Sequence, residues 1–248
     1  MNFTQIDALK EQLRSLKPLN EAEKKRIRDE FMIGNTYNSN AIEGSTLTLR
    51  ETAMILSSGI TIAEKPLKEH LEAIGHKDAF EYVFSLADAS TELTESVIKD
   101  IHTLVLMNDA QNRGAYRSIP VTIQGALHTP PQPYLVPVEM ESLIAWYREA
   151  KAEKHIIEAA AELHLRFEFI HPFIDGNGRT GRLILNLELM KAGLLPIDIK
   201  FSDRRKYYEC FDSYATDKNI APLCDLICGY EQEELEKYIA IVQGANHD

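Results

Sequence analysis

The amino-acid sequence predicts an all-α domain with one short β-hairpin set into it. Two features carry that expectation. Apolar residues recur at steps of three and four over most of the 248 residues, and one stretch, Val121-Thr122-Ile123, alternates in strand fashion instead. No internal repeat, low-complexity tract or linker interrupts the pattern, and 44% apolar content is enough to fill the core of one large domain.

Taken in order, "NEAEKKRIRDEFMIGNTYNSNAIEG" predicts a helix from about Glu21 towards Glu43. It weakens at Gly34 and Asn35, where poor helix formers begin, and is closed by Gly44. Thr48-Leu49-Arg50-Glu51 reads as a capping box opening a second helix. Helical spacing follows through Leu67, Leu71 and Ile74, then through Val97, Ile98, Ile101, Leu104 and Val105. The segment "VTIQGALHTPPQP" predicts a hairpin or flap turning at Gly125, with a proline-rich return. Two more helices are expected over 139–151 and 156–170; the second carries Ile156, Ala160, Leu163, Phe167 and Ile170 on one stripe. A further helix runs from about Arg179 to Gly193, ahead of Pro196, and the tail from Glu231 reads as a helix with a frayed end.

Composition narrows the function classes. A formal net charge of −11 speaks against a general nucleic-acid-binding surface. Any anionic ligand must therefore be held by a local cluster of arginines and amides. No apolar run reaches membrane-spanning length and "MNFTQIDALKEQ" is unlike a signal peptide, so a cytoplasmic protein is expected. The odd count of three cysteines suggests a reducing compartment. Cys224 and Cys228 share a helical face without a nearby histidine, which favours core packing over zinc. His70, His76, His102, His128, His155 and His164 read as surface or packing residues, and no role falls to Glu168, Asn186 or Trp146.

The chemistry concentrates in "HPFIDGNGRTGR", residues 171–182. Pro172 disfavours α geometry at the preceding residue, so the striped helix should end at His171, at a carboxyl end that favours the cationic ring. Gly176 and Gly178 around Asn177 permit positive φ, which lets consecutive N–H groups converge on an anion. The amino end of the next helix points at the same anion, with Arg179 and Arg182 three apart on its first turn. A base, a carboxylate for a hard cation, an amide cradle and two arginines are the parts that bind a magnesium-linked polyphosphate and assist attack on one phosphorus.

The same residues resemble the signature of the Fic family, H-x-F-x-[D/E]-G-N-G-R-x-x-R, and match each fixed position. The likeness extends upstream to "GAYRSIPVTIQG" and downstream to "RRKYYECF", covering about Leu67 to Ile227. It implies a compact helical fold that transfers AMP from ATP to a Ser, Thr or Tyr hydroxyl of a target protein or of itself, releasing pyrophosphate. His171 would be the base and Phe173 a buried anchor. Asp175 would hold Mg²⁺, Gly176, Asn177 and Gly178 would form the anion hole, and Arg179 and Arg182 would bind the outer phosphates. Thr180 and Gly181 fall within the same ATP-binding run. Tyr207 and Tyr208 are similar to a tyrosine pair bordering adenine, with core packing as the competing reading. Val121, Thr122, Ile123 and Gln124 would align a target segment by strand-like pairing.

A second resemblance addresses Glu43, a carboxylate at the unfavourable negative end of its own helix. Ser39-x-x-x-Glu43-Gly44 fits the family's inhibitory pattern [S/T]-x-x-x-E-[G/N]. It implies a pairing of Glu43 with Arg182, carried by an N-terminal region, 1–60, in front of a catalytic region, 61–248. Homodimerisation is a further family tendency. Three rival readings remain: another transfer (phosphoryl transfer being disfavoured because Gly178 stands where those relatives carry lysine), removal of AMP using Glu43, and a non-catalytic regulatory module.

Overall fold

The computed structural model describes residues 2–245, and among them it contains helices, turns and loops but no strand. Ten α-helices follow one another: α1 (Phe3–Ser15), α2 (Glu21–Ile42), α3 (Leu49–Ser58), α4 (Leu67–Asp88), α5 (Glu95–Val105), α6 (Val136–Glu153), α7 (Ile156–Ile170), α8 (Asn177–Lys191), α9 (Arg204–Asp217) and α10 (Ala221–Ala245). None is long and apolar enough to cross a membrane. The frayed end expected of the tail falls at 246–248, outside the described residues.

Local chemistry starts and stops these helices, and the capping box expected at Thr48 forms. Asn20 caps α2 and Thr48 caps α3, each in a reciprocal box with a glutamate three residues on. Thr94 caps α5 through the Val97 amide at 3.2 Å. Gly44 follows α2 with φ +100°, where a side chain would be strained.

Helix α8 lies at the centre, packed by α7, α4, α5 and α2. One apolar cluster joins α4, α5, α6 and α7 on one side, with Phe80, Ile98, Met140 and Phe167 fully enclosed. A second joins α7 and α8 to α9 and α10, and takes Ile6 from α1 and Ile42 from the end of α2. Its members include the free thiols Cys210, Cys224 and Cys228, all buried.

The weak helix formers of α2 have a structural reason. Asn35, Thr36, Asn38, Ser39 and Asn40 are all buried, which no apolar stripe would predict. They form a polar layer against the rest of the molecule. Asn35 donates to the Ile197 carbonyl at 3.2 Å, Asn38 donates to Asp198 at 2.8 Å, and Asn38 also accepts the Phe201 amide at 3.0 Å. Thr36 meets the buried His76 ring at 3.1 Å. These partners satisfy groups that would otherwise be costly to bury, and they fix the axial position of the helix end carrying Glu43.

The expected hairpin is the main departure. Residues 121–126 keep the alternation, with Val121 and Ile123 half-buried and Thr122 and Gln124 exposed, and Gly125 turns at φ +83°. The Ala126 amide closes the turn on the Ile123 carbonyl at 3.2 Å. No ladder forms beyond it. The return arm carries Pro130, Pro131 and Pro133, which lack amide donors, so the segment is an extended loop with an unpaired edge.

Candidate active site

Helix α7 ends with His171 in the left-handed region at φ +49°, its amide bonded to the Phe167 carbonyl at 2.9 Å. The loop that follows is locked from three directions. Phe173 is fully buried and stacks on His102 with centroids 3.6 Å apart. Asn177 holds the loop shut, accepting the Phe173 amide and donating to the Phe173 carbonyl, each at 2.9 Å. Arg117 donates from Nε to the His171 carbonyl at 2.8 Å, while its amide donates to the Pro172 carbonyl at 2.9 Å.

Two of these supports were not identified from sequence. His102 is read there as a packing residue, yet its Nδ1 accepts the Gly114 amide at 2.9 Å. The proton therefore sits on Nε2, which donates to the Asp175 carbonyl at 2.9 Å. Burial pushes this ring down to about 4, keeping that tautomer neutral. Arg117 is buried and also reaches the Pro131 carbonyl, which ties the flap's return arm to the His171 loop.

His171 corrects another expectation. Its place at a helix carboxyl end favours the cation, yet burial dominates and pushes the ring down to about 4. The Glu168 backbone carbonyl opposes that shift and the Arg117 charge adds to it. The imidazole is thus neutral at physiological pH. Glu168, three residues earlier, lies 3.9 Å from Nδ1 and is itself raised to about 8, by burial first and then by the Glu43 charge.

Helix α8 begins at Asn177 with Gly176 as its cap at φ +78°. Its first N–H groups have no intrahelical partner. Arg182, on the first turn and a half, donates from Nε to Ser39 Oγ at 3.0 Å and from Nη2 to the Ser39 carbonyl at 2.9 Å and to Glu43 Oε1 at 2.8 Å. The Glu43 carboxylate also presses on Gly178 so closely that an added Cβ there would strike it. The misplaced charge at the end of α2 therefore lies against Arg182 and the positive end of α8. Burial, the largest single influence, would lower Arg182, but Glu43 and Tyr207 together outweigh it and the guanidinium is raised above its ordinary value.

Arg179 points elsewhere. Its side chain is 2% exposed and meets Glu72 at 3.1 Å, Asp175 at 3.3 Å and Asn40 at 3.4 Å. Asp175 keeps a half-exposed carboxylate, with Lys68 Nζ 3.5 Å from Oδ2. Burial alone would raise its pKa, but Arg179, the Gly176 amide and Lys68 together hold it below its usual range. Thr180 and Gly181 turn into the core, Thr180 fully buried and Gly181 against Glu168 and His164.

Glu43 divides the cleft in two. On one side a cavity of about 320 Å³ is lined by Glu43, His171, Gly178, Arg182, Tyr207 and Tyr208, with Ile123 and Gln124 at its edge. On the other a cavity of about 220 Å³ is lined by Glu43, Asn40, Lys68, Asp175 and Arg179. Tyr207 serves both sequence readings: it lines the first cavity, yet it is 1% exposed with its hydroxyl 2.7 Å from His164 Nε2. Tyr208 is half-exposed and, with Arg204 at 2.8 Å, donates to the Ile42 carbonyl at the end of α2.

A Fic/DOC family model matches residues 92–189, the span that holds this loop. The chain is similar over its whole length, with 31% identity and a TM-score of 0.88, to a Fic domain containing signaling protein from Bacteroides thetaiotaomicron, each covering 97% of the other. This chain belongs to the Fic/DOC family. A protein adenylyltransferase Fic from Nematostella vectensis is 36% identical over 238 residues, or 95% of this chain and 55% of that protein. Fic-1 from C. elegans superposes with a TM-score of 0.83 at 29% identity, covering 96% of this chain and 70% of that one. The chain spans about half the length of the curated relatives it matches.

Proposed function

We propose that this Fic chain is a protein adenylyltransferase restrained by its own helix α2. The observation that carries the reading is the seat of Glu43, 2.8 Å from Arg182 and wedged against Gly178 between the two cavities. In the active form the adenosine and the α-phosphate occupy the larger cavity beside His171. Its Nδ1 is buried, which leaves Nε2 as the nitrogen for the work of a base. A target hydroxyl gives its proton to Nε2 as its oxygen bonds to the α-phosphorus. The bond to the bridging oxygen breaks on the far side, and pyrophosphate departs.

The donor set also fits a divalent cation. Among the described residues no three His, Cys, Asp or Glu side chains converge as a metal cage. Mg²⁺ is commonly held by one or two carboxylates together with substrate phosphates, and Asp175 offers one ionised carboxylate facing the smaller cavity. When bound, Mg²⁺ would neutralise charge on the phosphates. Arg182, the amino end of α8 and Asp175 do the rest by alignment. The loop at 121–124, whose unpaired edge borders the larger cavity, would receive the target segment by main-chain pairing.

Inhibition is competition for one guanidinium. While Glu43 holds Arg182, a triphosphate has neither that cation nor a path between the cavities. Displacing α2 restores both, so residues 1–60 act as the regulatory part and the remainder as the catalytic part. Removal of AMP is the second reading, favoured by the position of Glu43 on the same cavity as His171, where its carboxylate can orient a water. The first test is incubation of Glu43→Gly with labelled ATP and magnesium. Incorporation well above the parent's is expected, and incorporation no higher than the parent's refutes the inhibitory role.

A further inference from the structure

We propose that Lys68 is a specificity-determining residue of the site, contacting the outer phosphates so that a nucleoside triphosphate is selected over a monophosphate. This rests on the nucleotide-transfer reading above and adds a residue outside the signature loop.

A nucleotide whose α-phosphorus lies beside His171 must send its remaining phosphates past Glu43, and what lies past Glu43 is the smaller cavity. Of the four cations that line the two cavities, Arg204 lies on the larger one and donates to the Ile42 carbonyl, which leaves three along that route for the outer phosphates. Arg182 stands at its entrance. Arg179 is buried, and its charge is already met by the two carboxylates of Glu72 and Asp175. Lys68 differs from both: its side chain is 59% exposed and it sits on the first turn of α4 with a flexible stem.

Lys68 is also loosely engaged. Its Nζ lies 3.5 Å from Asp175 Oδ2 and 3.6 Å from Glu72 Oε1, both beyond the length of a charge-assisted hydrogen bond. Were Asp175 to hold a divalent cation, Lys68 would keep only Glu72 at 3.6 Å, and a phosphate entering the smaller cavity would be a new anion within its reach. An ammonium is a compact charge with three rotatable donors and needs no fixed angle, which suits a phosphate that leaves as pyrophosphate. Charge grows on that leaving group in the transition state, where a cation is worth more than in the ground state.

The experiment uses the full chain carrying Glu43→Gly, so that the cavities are joined, and measures binding of ATP and of AMP with magnesium by calorimetry. Adding Lys68→Met should weaken ATP about tenfold and leave AMP unchanged, while Lys68→Arg should restore most of the ATP affinity. Magnesium alone should bind Lys68→Met no more weakly than its parent, because a competitor for Asp175 has gone. Thermal melting should be unchanged, since the lysine is exposed and its ion pairs are weak. Equal ATP affinity with and without Lys68, or an equal loss for ATP and AMP, overturns the assignment. If the Glu43→Gly parent binds neither nucleotide, the nucleotide-transfer reading itself fails and takes this one with it.

Discussion

Replacing Ser39 by alanine removes one oxygen from the seat of Arg182 while leaving Glu43 in place. Ser39 is 2% exposed and its hydroxyl accepts Arg182 Nε at 3.0 Å. Without that oxygen the N–H faces a methyl group in a dry site, a loss of roughly 1–2 kcal/mol. The Ser39 carbonyl and Glu43 still hold Nη2 of the guanidinium, so α2 stays docked for most of the time. The penalty falls on the docked conformer alone, because with α2 displaced Arg182 meets water or phosphate. A shift of about 1.4 kcal/mol multiplies the displaced population about tenfold, and basal AMP transfer should rise by the same factor. The assay is the initial rate of incorporation from labelled ATP in the parent, Ser39→Ala, Glu43→Gly and the double variant. In the Glu43→Gly background the serine should count for little, since the docked state is already lost. The same increase in both backgrounds, or none in the parent, refutes the shared-seat argument.

Other outcomes follow from the same contacts. His171→Ala in the Glu43→Gly background should abolish transfer and keep ATP binding, measured by calorimetry; loss of binding would count against its role as base. Because the His171 ring is pushed down to about 4, the acid limb of transfer should fall well below the ordinary histidine midpoint of 6.5. Gly181→Ala drives a Cβ into Glu168 and the His164 ring, and should cost about 1–3 kcal/mol, read as a melting temperature lower by several degrees. Stability should also respond to acid. His76 and His164 are pushed down to about 3, and His102 to about 4, by burial first in each case. The unfolded chain therefore takes up these protons before the folded one. Their contribution is whole above pH 6.5 and falls by about 1.4 kcal/mol per ring per pH unit below it. Glu168 and Glu231, raised to about 8 by burial, act in the opposite sense and lose stability as pH rises from 4.5 towards 8. Chemical denaturation across pH should show a maximum near pH 6 to 7; a maximum above pH 8 would contradict the buried carboxylates, and one below pH 5 would contradict the buried imidazoles.

Features encoded locally were legible in the sequence. Caps, glycine stops and apolar spacing fix the helices, and the twelve residues from His171 to Arg182 carry their geometry within one turn and one loop. The Glu43–Arg182 contact was legible through a short pattern, although the residues lie 139 apart. Supports that depend on distant pairing were not. Nothing near His102 announces that it will hold the Asp175 carbonyl 73 residues later, and nothing near Arg117 announces the His171 carbonyl 54 residues later. The helix end overstates the basicity of His171 because it is a local feature and burial is not. The hairpin does not form: alternation reports which side chains face solvent and leaves the existence of a partner strand open. The asparagines of α2 read as poor helix formers until the polar layer they meet is known.

The central claim is that α2 withholds AMP transfer by lending Glu43 to Arg182. It is tested most directly by giving the parent and Glu43→Gly two samples of ATP, one labelled at the α-phosphorus and one at the γ-phosphorus, and counting label bound to protein. Strong incorporation from the α-label is expected in Glu43→Gly, little in the parent, and none from the γ-label in either. Equal α-label in the two proteins, or label arriving from the γ-position, would contradict it.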